Sequence, residues 1–287
     1  VGKTVKIRLI DYKSDRFNQL AEQRFFEECN RYGIVVDKME YAPDLFLFKV
    51  EDIEVGQLEH IATMDSVISV KEMPYYEITA APEPWDVDID VATPRQDESY
   101  PKVGILDSGV ANLPQLSPWQ IGDEYNAAGL EEFDIDRNHG TMVASIALYG
   151  DQLEKESLTG CGPSMFVNCI INTNPHKAKI SEIELVEFIR DSIKHHPDIQ
   201  IWNISQGSQT DVSDENFSEF AIALDDIQRT HNVLFCKSAG NTSTPNGRIS
   251  LGAESVRCIT VGSVCQKGED ERDLPLGAHS PFSRIGP

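Results

Sequence analysis

Apolar and polar residues alternate along VKIRLIDY (5–12), the two-residue period of a strand with one buried face. The period then changes. In NQLAEQRFFEECNRYG (18–33), Leu20, Phe25 and Cys29 recur at helical spacing and Gly33 supplies a stop. IVVDKMEYA and DLFLFKVE read as two further strands around the turn Ala42-Pro43-Asp44. Val55, Leu58, Ile61 and Ala62 fall on one face of a second helix, and VISVKEM closes as a strand. Residues 1–76 thus predict a small βαββαβ domain, the ferredoxin-like split arrangement.

Residues 77–100 are rich in proline and acid, with little periodicity, and predict a linker or extended arm. Within them Asp86-Val87-Asp88-Ile89-Asp90 has the look of a paired-carboxylate motif. Such a motif should crown a buried strand, whereas this one follows Pro-Glu-Pro-Trp and reads as an exposed acidic segment. From residue 101 to 287 short apolar runs alternate with helical ones. KVGILDSG, MFVNCIIN, IQIWNIS, NVLFCKSAGN and VRCITVGSV have the continuous hydrophobicity of buried parallel strands. HGTMVASIALYG, SEIELVEFIRDSIKHH and SEFAIALDDIQRTH have helical spacing. The expectation is a doubly wound, mostly parallel α/β sheet, whose functional groups gather beyond the carboxyl ends of the strands.

Charge narrows the partners. The 287 residues carry 47 acidic and 25 basic side chains, a net −22. Residues 1–80 hold 15 and 10 of these, so the acid lies mostly in the second part. Such a field repels nucleic acid. No run of eighteen apolar residues is present, so no spanning helix and no membrane partner are expected. None of the six cysteines forms a CxxC pair, and several sit in apolar runs. With no signal-peptide pattern at the start, this points to buried free thiols, no metal or other cofactor, and a reducing, cytoplasmic compartment, with secretion as the alternative.

The stretch RNHGTMVASIA begins an apolar helix with Asn138, His139 and Gly140, and asks what the imidazole reaches. Strand ends offer partners. KVGIL runs into Asp107-Ser108-Gly109, IQIWNI into Ser205-Gln206-Gly207, and NVLFCK into Ser238-Ala239-Gly240-Asn241. Each alone is ordinary turn or cap chemistry, with Asn138 a good helix cap. Together they make a working set. A carboxylate holds an imidazole in one tautomer, the other ring nitrogen takes a proton from a nucleophile, and a carboxamide donates to a developing oxyanion.

ILDSGV, NHGTMVA, WNISQGS and KSAGN resemble, in order and spacing, the motifs of subtilisin-like serine proteases. HSPFSRIGP is similar to the family's phenylalanine-serine-serine-x-glycine-proline segment. The resemblance runs from about residue 101 to Pro287. It implies that Asp107 orients the histidine, that His139 is the general base and that Asn241 supplies an oxyanion donor. It further implies that Ser205, Gln206 and Gly207, with Ser238, Ala239 and Gly240, bind an extended peptide or protein substrate by strand addition. The opening domain resembles the family's inhibitory propeptide, an intramolecular partner whose last strand reaches the cleft. That makes Met73–Glu77 the segment expected across the substrate site, with any cleavage near Tyr76–Glu77.

Several features depart from the family. The nucleophile belongs in a glycine-threonine-serine segment, and the only Gly-Thr here is Gly140-Thr141. Ser280 and Ser283 match a structural segment. The chain is therefore expected to lack its serine and to be inactive as a peptidase by itself. Met142 and Ser145 replace a histidine and a glycine common in the family, and Gln206 stands where an apolar residue is usual. YGDQLEKESLTG lacks the spaced oxygens of a calcium loop. The alternative reading is a non-catalytic peptide-binding or regulatory module on the same fold. A nucleotide-binding protein is set aside because neither GxGxxG nor GxxxxGK[ST] occurs.

Overall fold

The computed structural model describes residues 3–78, 90–153, 162–172, 174, 179–208, 210–213, 215–242, 247–265, 275 and 277–286. The acidic stretch 86–89, Cys161 and most of YGDQLEKESLTG lie outside these residues. Contacts divide the chain into two units, Val1–Pro74 with Ser181–Ile183, and Tyr75–Ile180 with Glu184–Pro287.

The first unit follows the predicted element order. It contains β1 (Lys3–Leu9), α1 (Asp15–Arg31), β2 (Asp37–Met39), β3 (Leu47–Ile53), α2 (Val55–Ala62) and β4 (Val67–Glu72). The strands form an antiparallel sheet in the order β2-β3-β1-β4, with Ile7 opposite Phe48 on one side and Val70 on the other. Alternation along β1 sends Val5, Ile7 and Leu9 into a core with Phe25 and Cys29 of α1. The rings of Phe25 and Phe48 lie 4.9 Å apart. The second helix differs from expectation. Ile61 is fully buried and Leu58 packs against the core, but Val55 is 74% exposed because it opens the helix.

In the second unit the described strands β6 (Lys102–Asp107), β7 (Tyr125–Asn126), β8 (Met165–Ile170), β10 (Ile201–Ile204), β12 (Leu234–Ser238) and β13 (Ile259–Val261) make a sheet in the order β13-β12-β10-β6-β8-β7. All of its pairings are parallel. The helices are α3 (Asn138–Leu153), α4 (Glu182–His195) and α5 (Glu219–His231). The doubly wound α/β expectation holds, since β6, β8 and β10 bury apolar side chains such as Leu106, Phe166 and Trp202. β13 does not match its apolar reading: Ile259 and Val261 are about half exposed, because β13 is an edge strand. A separate small sheet runs β11 (Gly207–Ser208), β5 (Tyr75–Glu77), β9 (Ile180–Ser181). Among the described residues no helix is long and apolar enough to cross a membrane.

Candidate active site

Asp107 ends β6, an interior strand, and is fully buried. Its Oδ1 accepts from the Ser108 backbone N–H at 2.8 Å and lies 2.8 Å from His139 Nδ1. His139 is the second residue of α3 and is 8% exposed. A carboxylate is an acceptor, so in the neutral imidazole this contact places the proton on Nδ1 and the lone pair on Nε2. Asn138 is not the cap expected of it: the helix already includes it, and Asp136 Oδ1 accepts from its backbone N–H at 3.1 Å.

The helix start is held against the loop after Asp107. A Cβ on Gly140 would lie 2.1 Å from the Gly109 carbonyl oxygen, so only glycine permits this approach. The Gly140 N–H donates to Ser108 Oγ at 3.3 Å, and the Ala111 N–H donates to Thr141 Oγ1 at 2.8 Å. A further layer braces the same loop. Asn168 of β8 accepts from Val110 N–H at 3.1 Å and donates to Glu124 Oε2 at 2.9 Å. Glu124 and Glu132 both bind the Arg137 guanidinium, which pushes its pKa further up.

The remaining candidates gather around a second pair of loops. Gly207 and Ser208 form β11 and pair antiparallel with β5, Gly207 opposite Glu77 and Ser208 opposite Tyr76. Ser205 Oγ accepts from Asn203 Nδ2 at 2.7 Å. Gln206 is buried, and its Nε2 donates to the Leu106 carbonyl at 3.1 Å, so the side chain is spent on β6 one residue before Asp107. Ser238 Oγ donates to the Gln206 carbonyl at 3.4 Å. Ala239 is buried and Gly240 has φ of 99°. The Gly207 and Gly240 backbones face one another, since a Cβ on Gly207 would lie 3.7 Å from Gly240 Cα. Asn241 is exposed, and its carboxamide makes no hydrogen bond with the described residues. Its backbone is held: Arg284 Nε donates to the Asn241 carbonyl at 2.9 Å, and Asn241 bridges to Ser283. Ser280 and Ser283 are buried, and Ser283 Oγ accepts from Ser263 N–H at 3.1 Å.

The structure therefore joins Asp107 to His139 and joins Ser205–Gly207 to Ser238–Gly240, with Gln206 linking the two groups through Leu106. Asn168, Arg137, Arg284 and Lys237 were not singled out from the sequence. A polar residue inside a buried run, as in MFVNCI and LFCKS, was the available signal. The described thiols Cys29, Cys169, Cys236, Cys258 and Cys265 are free, and no group of described His, Cys, Asp and Glu residues is placed to hold a metal ion.

The subtilase family model matches residues 98–287, and the chain belongs to that family of subtilisin-like serine proteases. Among solved structures it resembles the epidermin leader peptide processing serine protease of Staphylococcus aureus. The serine-to-alanine mutant of that protein superposes with a TM-score of 0.55 at 16% identity, covering 98% of this chain and 73% of that one. The unmutated protein gives 0.53 at 15% identity, covering 98% and 72%. At these identities the likeness is one of fold. No curated protein sequence matches the chain.

Proposed function

We propose that the chain carries the acid–base and substrate-pairing parts of a serine endopeptidase. The observation that carries this reading is the 2.8 Å contact between buried Asp107 and His139 Nδ1, which leaves Nε2 to act as base. In the reaction, Nε2 takes the proton of a serine hydroxyl as its oxygen attacks the scissile carbonyl. The imidazolium, stabilised by Asp107, then returns that proton to the leaving amine. Asn241, on a turn fixed by Arg284, donates its carboxamide N–H to the oxyanion. Ser205–Gly207 and Ser238–Gly240 form the two walls that receive an extended peptide or protein.

Residues 1–76 act as an inhibitor-like domain, 77–100 as the arm after it and 101–287 as the partial catalytic domain. The pairing of Tyr75–Glu77 with Gly207–Ser208 supports this, because an extended segment following β4 already occupies the edge a substrate would use. No glycine-threonine-serine segment occurs in these 287 residues, so the polypeptide by itself does not turn over peptides. The same strand pairing also favours a second reading, a peptide-binding module without catalysis.

The test is peptide hydrolysis, assayed with the 287-residue polypeptide alone and with any longer form that carries a glycine-threonine-serine segment. No turnover by the 287 residues, together with turnover by the longer form that a serine-directed phosphonate blocks, supports the peptidase. Phosphonate-sensitive turnover by the 287 residues alone would overturn the missing-nucleophile reading. Peptide binding without hydrolysis by either form would favour the module.

A further inference from the structure

We propose that Lys237 is a positioning residue whose ammonium ties the Gln206 carbonyl to the Ser238 carbonyl, and so fixes the spacing of the two cleft walls. This inference rests on reading Ser205–Gly207 and Ser238–Gly240 as those walls.

Lys237 sits inside β12, paired with Ile204 of β10 and Thr260 of β13, and is wholly buried. Its Nζ donates to the Gln206 carbonyl and, at 3.1 Å, to the Ser238 carbonyl. Ser238 Oγ reaches the same Gln206 oxygen at 3.4 Å. Among the described residues no carboxylate lies within ion-pair distance of the ammonium, so backbone oxygens hold it. A buried charge without a counterion is costly, and an apolar residue would fill the strand interior without that cost. The geometry gives the charge a task. One carbonyl belongs to the residue before Gly207, where β5 pairs, and the other to the residue before Ala239-Gly240. The ammonium binds both at once, and no neutral side chain of similar size offers three donors.

Burial pushes the Lys237 pKa down to about 8, while Cys258 and Glu254 raise it and Arg284 lowers it further, so at pH 7 the side chain is still the ammonium that spans the two carbonyls.

The experiment is deuterium exchange by mass spectrometry on the 287-residue chain and on Lys237→Met at pH 7. In Lys237→Met, residues 75–78, 205–208 and 238–241 exchange about tenfold faster, while β6 and β8 keep their protection. Equal exchange in the two proteins, or loosening spread over the whole parallel sheet, would overturn the proposal. Exchange reports the clamp whether or not any peptide is cut, so its failure is separable from failure of the hydrolysis assay.

Discussion

Gly140 and Gly109 meet so closely that a methyl on the first would sit 2.1 Å from the carbonyl oxygen of the second. The position of His139 depends on that approach, because Gly140 follows it in the first turn of α3 while Gly109 follows Asp107 by two residues. Gly140→Ala must push the helix start away from the loop. Overpacking of this kind costs about 1–3 kcal/mol. The expected outcome is a lower denaturant midpoint and a His139 ring whose NMR signals lose the Asp107 contact. An unchanged ring environment would show that the approach does not set the histidine.

Asp107→Asn tests the tautomer. The carboxylate accepts from Nδ1–H, whereas a carboxamide can turn its NH2 to Nδ1 and leave the proton on Nε2. Nitrogen chemical shifts of the His139 ring should therefore report Nδ1–H in the original chain and Nε2–H in the variant. The lost charge-assisted bond lowers stability by about 1.5–3 kcal/mol. Identical ring shifts in the two proteins would mean that Asp107 does not hold the imidazole.

Much of this site was readable because its chemistry sits where periodicity breaks. Apolar strands ending in Asp107, Ser205 and Ser238, and an apolar helix opening on His139, are local signals, and the parallel α/β fold brings such ends together. What escaped the sequence is set by tertiary contact. Gln206 resembles a substrate-facing residue until its amide is found on Leu106. Val55 has the right helical spacing, but opening α2 leaves it in solvent. β13 reads as buried because its side chains are apolar, whereas its place in the strand order makes it an edge. Asn168 acts through partners 44 and 58 residues away, Arg284 through one 43 away and Lys237 through one 31 away, and no short window along the chain contains both ends.

Alkaline pH should loosen the fold through its thiols. Burial pushes Cys29 and Cys258 up to about 11 and Cys169 to about 12, from an ordinary value of 9. A raised folded pKa means the folded state keeps a proton that the unfolded state has lost. Stability from these groups is complete below pH 9 and falls as pH rises towards 11–12, by about 2–3 kcal/mol for Cys29. Lys237 acts with the opposite sign between pH 8 and 10.5. Urea midpoints measured from pH 8 to 11 should show that Cys29→Ala reduces the alkaline loss. The same pH dependence in that variant would remove Cys29 from the account.

The strand Tyr75–Glu77, paired between β11 and β9, carries one buried ring. Tyr76 is 1% exposed, and its ring centroid lies 5.0 Å from that of Phe220 at the start of α5. Pairing with β11 is short, because that strand has only two residues to offer. Tyr76→Ala removes the buried aromatic and its packing on Phe220, a loss of about 3–5 kcal/mol by the usual cost of large-to-small change. Tyr75 is a useful control, since it is 43% exposed and Tyr75→Ala should change little. The expected result is rapid proteolytic nicking around residues 75–78 in Tyr76→Ala, with Gly207 and Ser208 losing exchange protection and the four-stranded sheet of the first unit keeping its own. If nicking and exchange stay at the original level, the segment is held by its backbone, and the apolar contact with Phe220 is incidental to its place on β11.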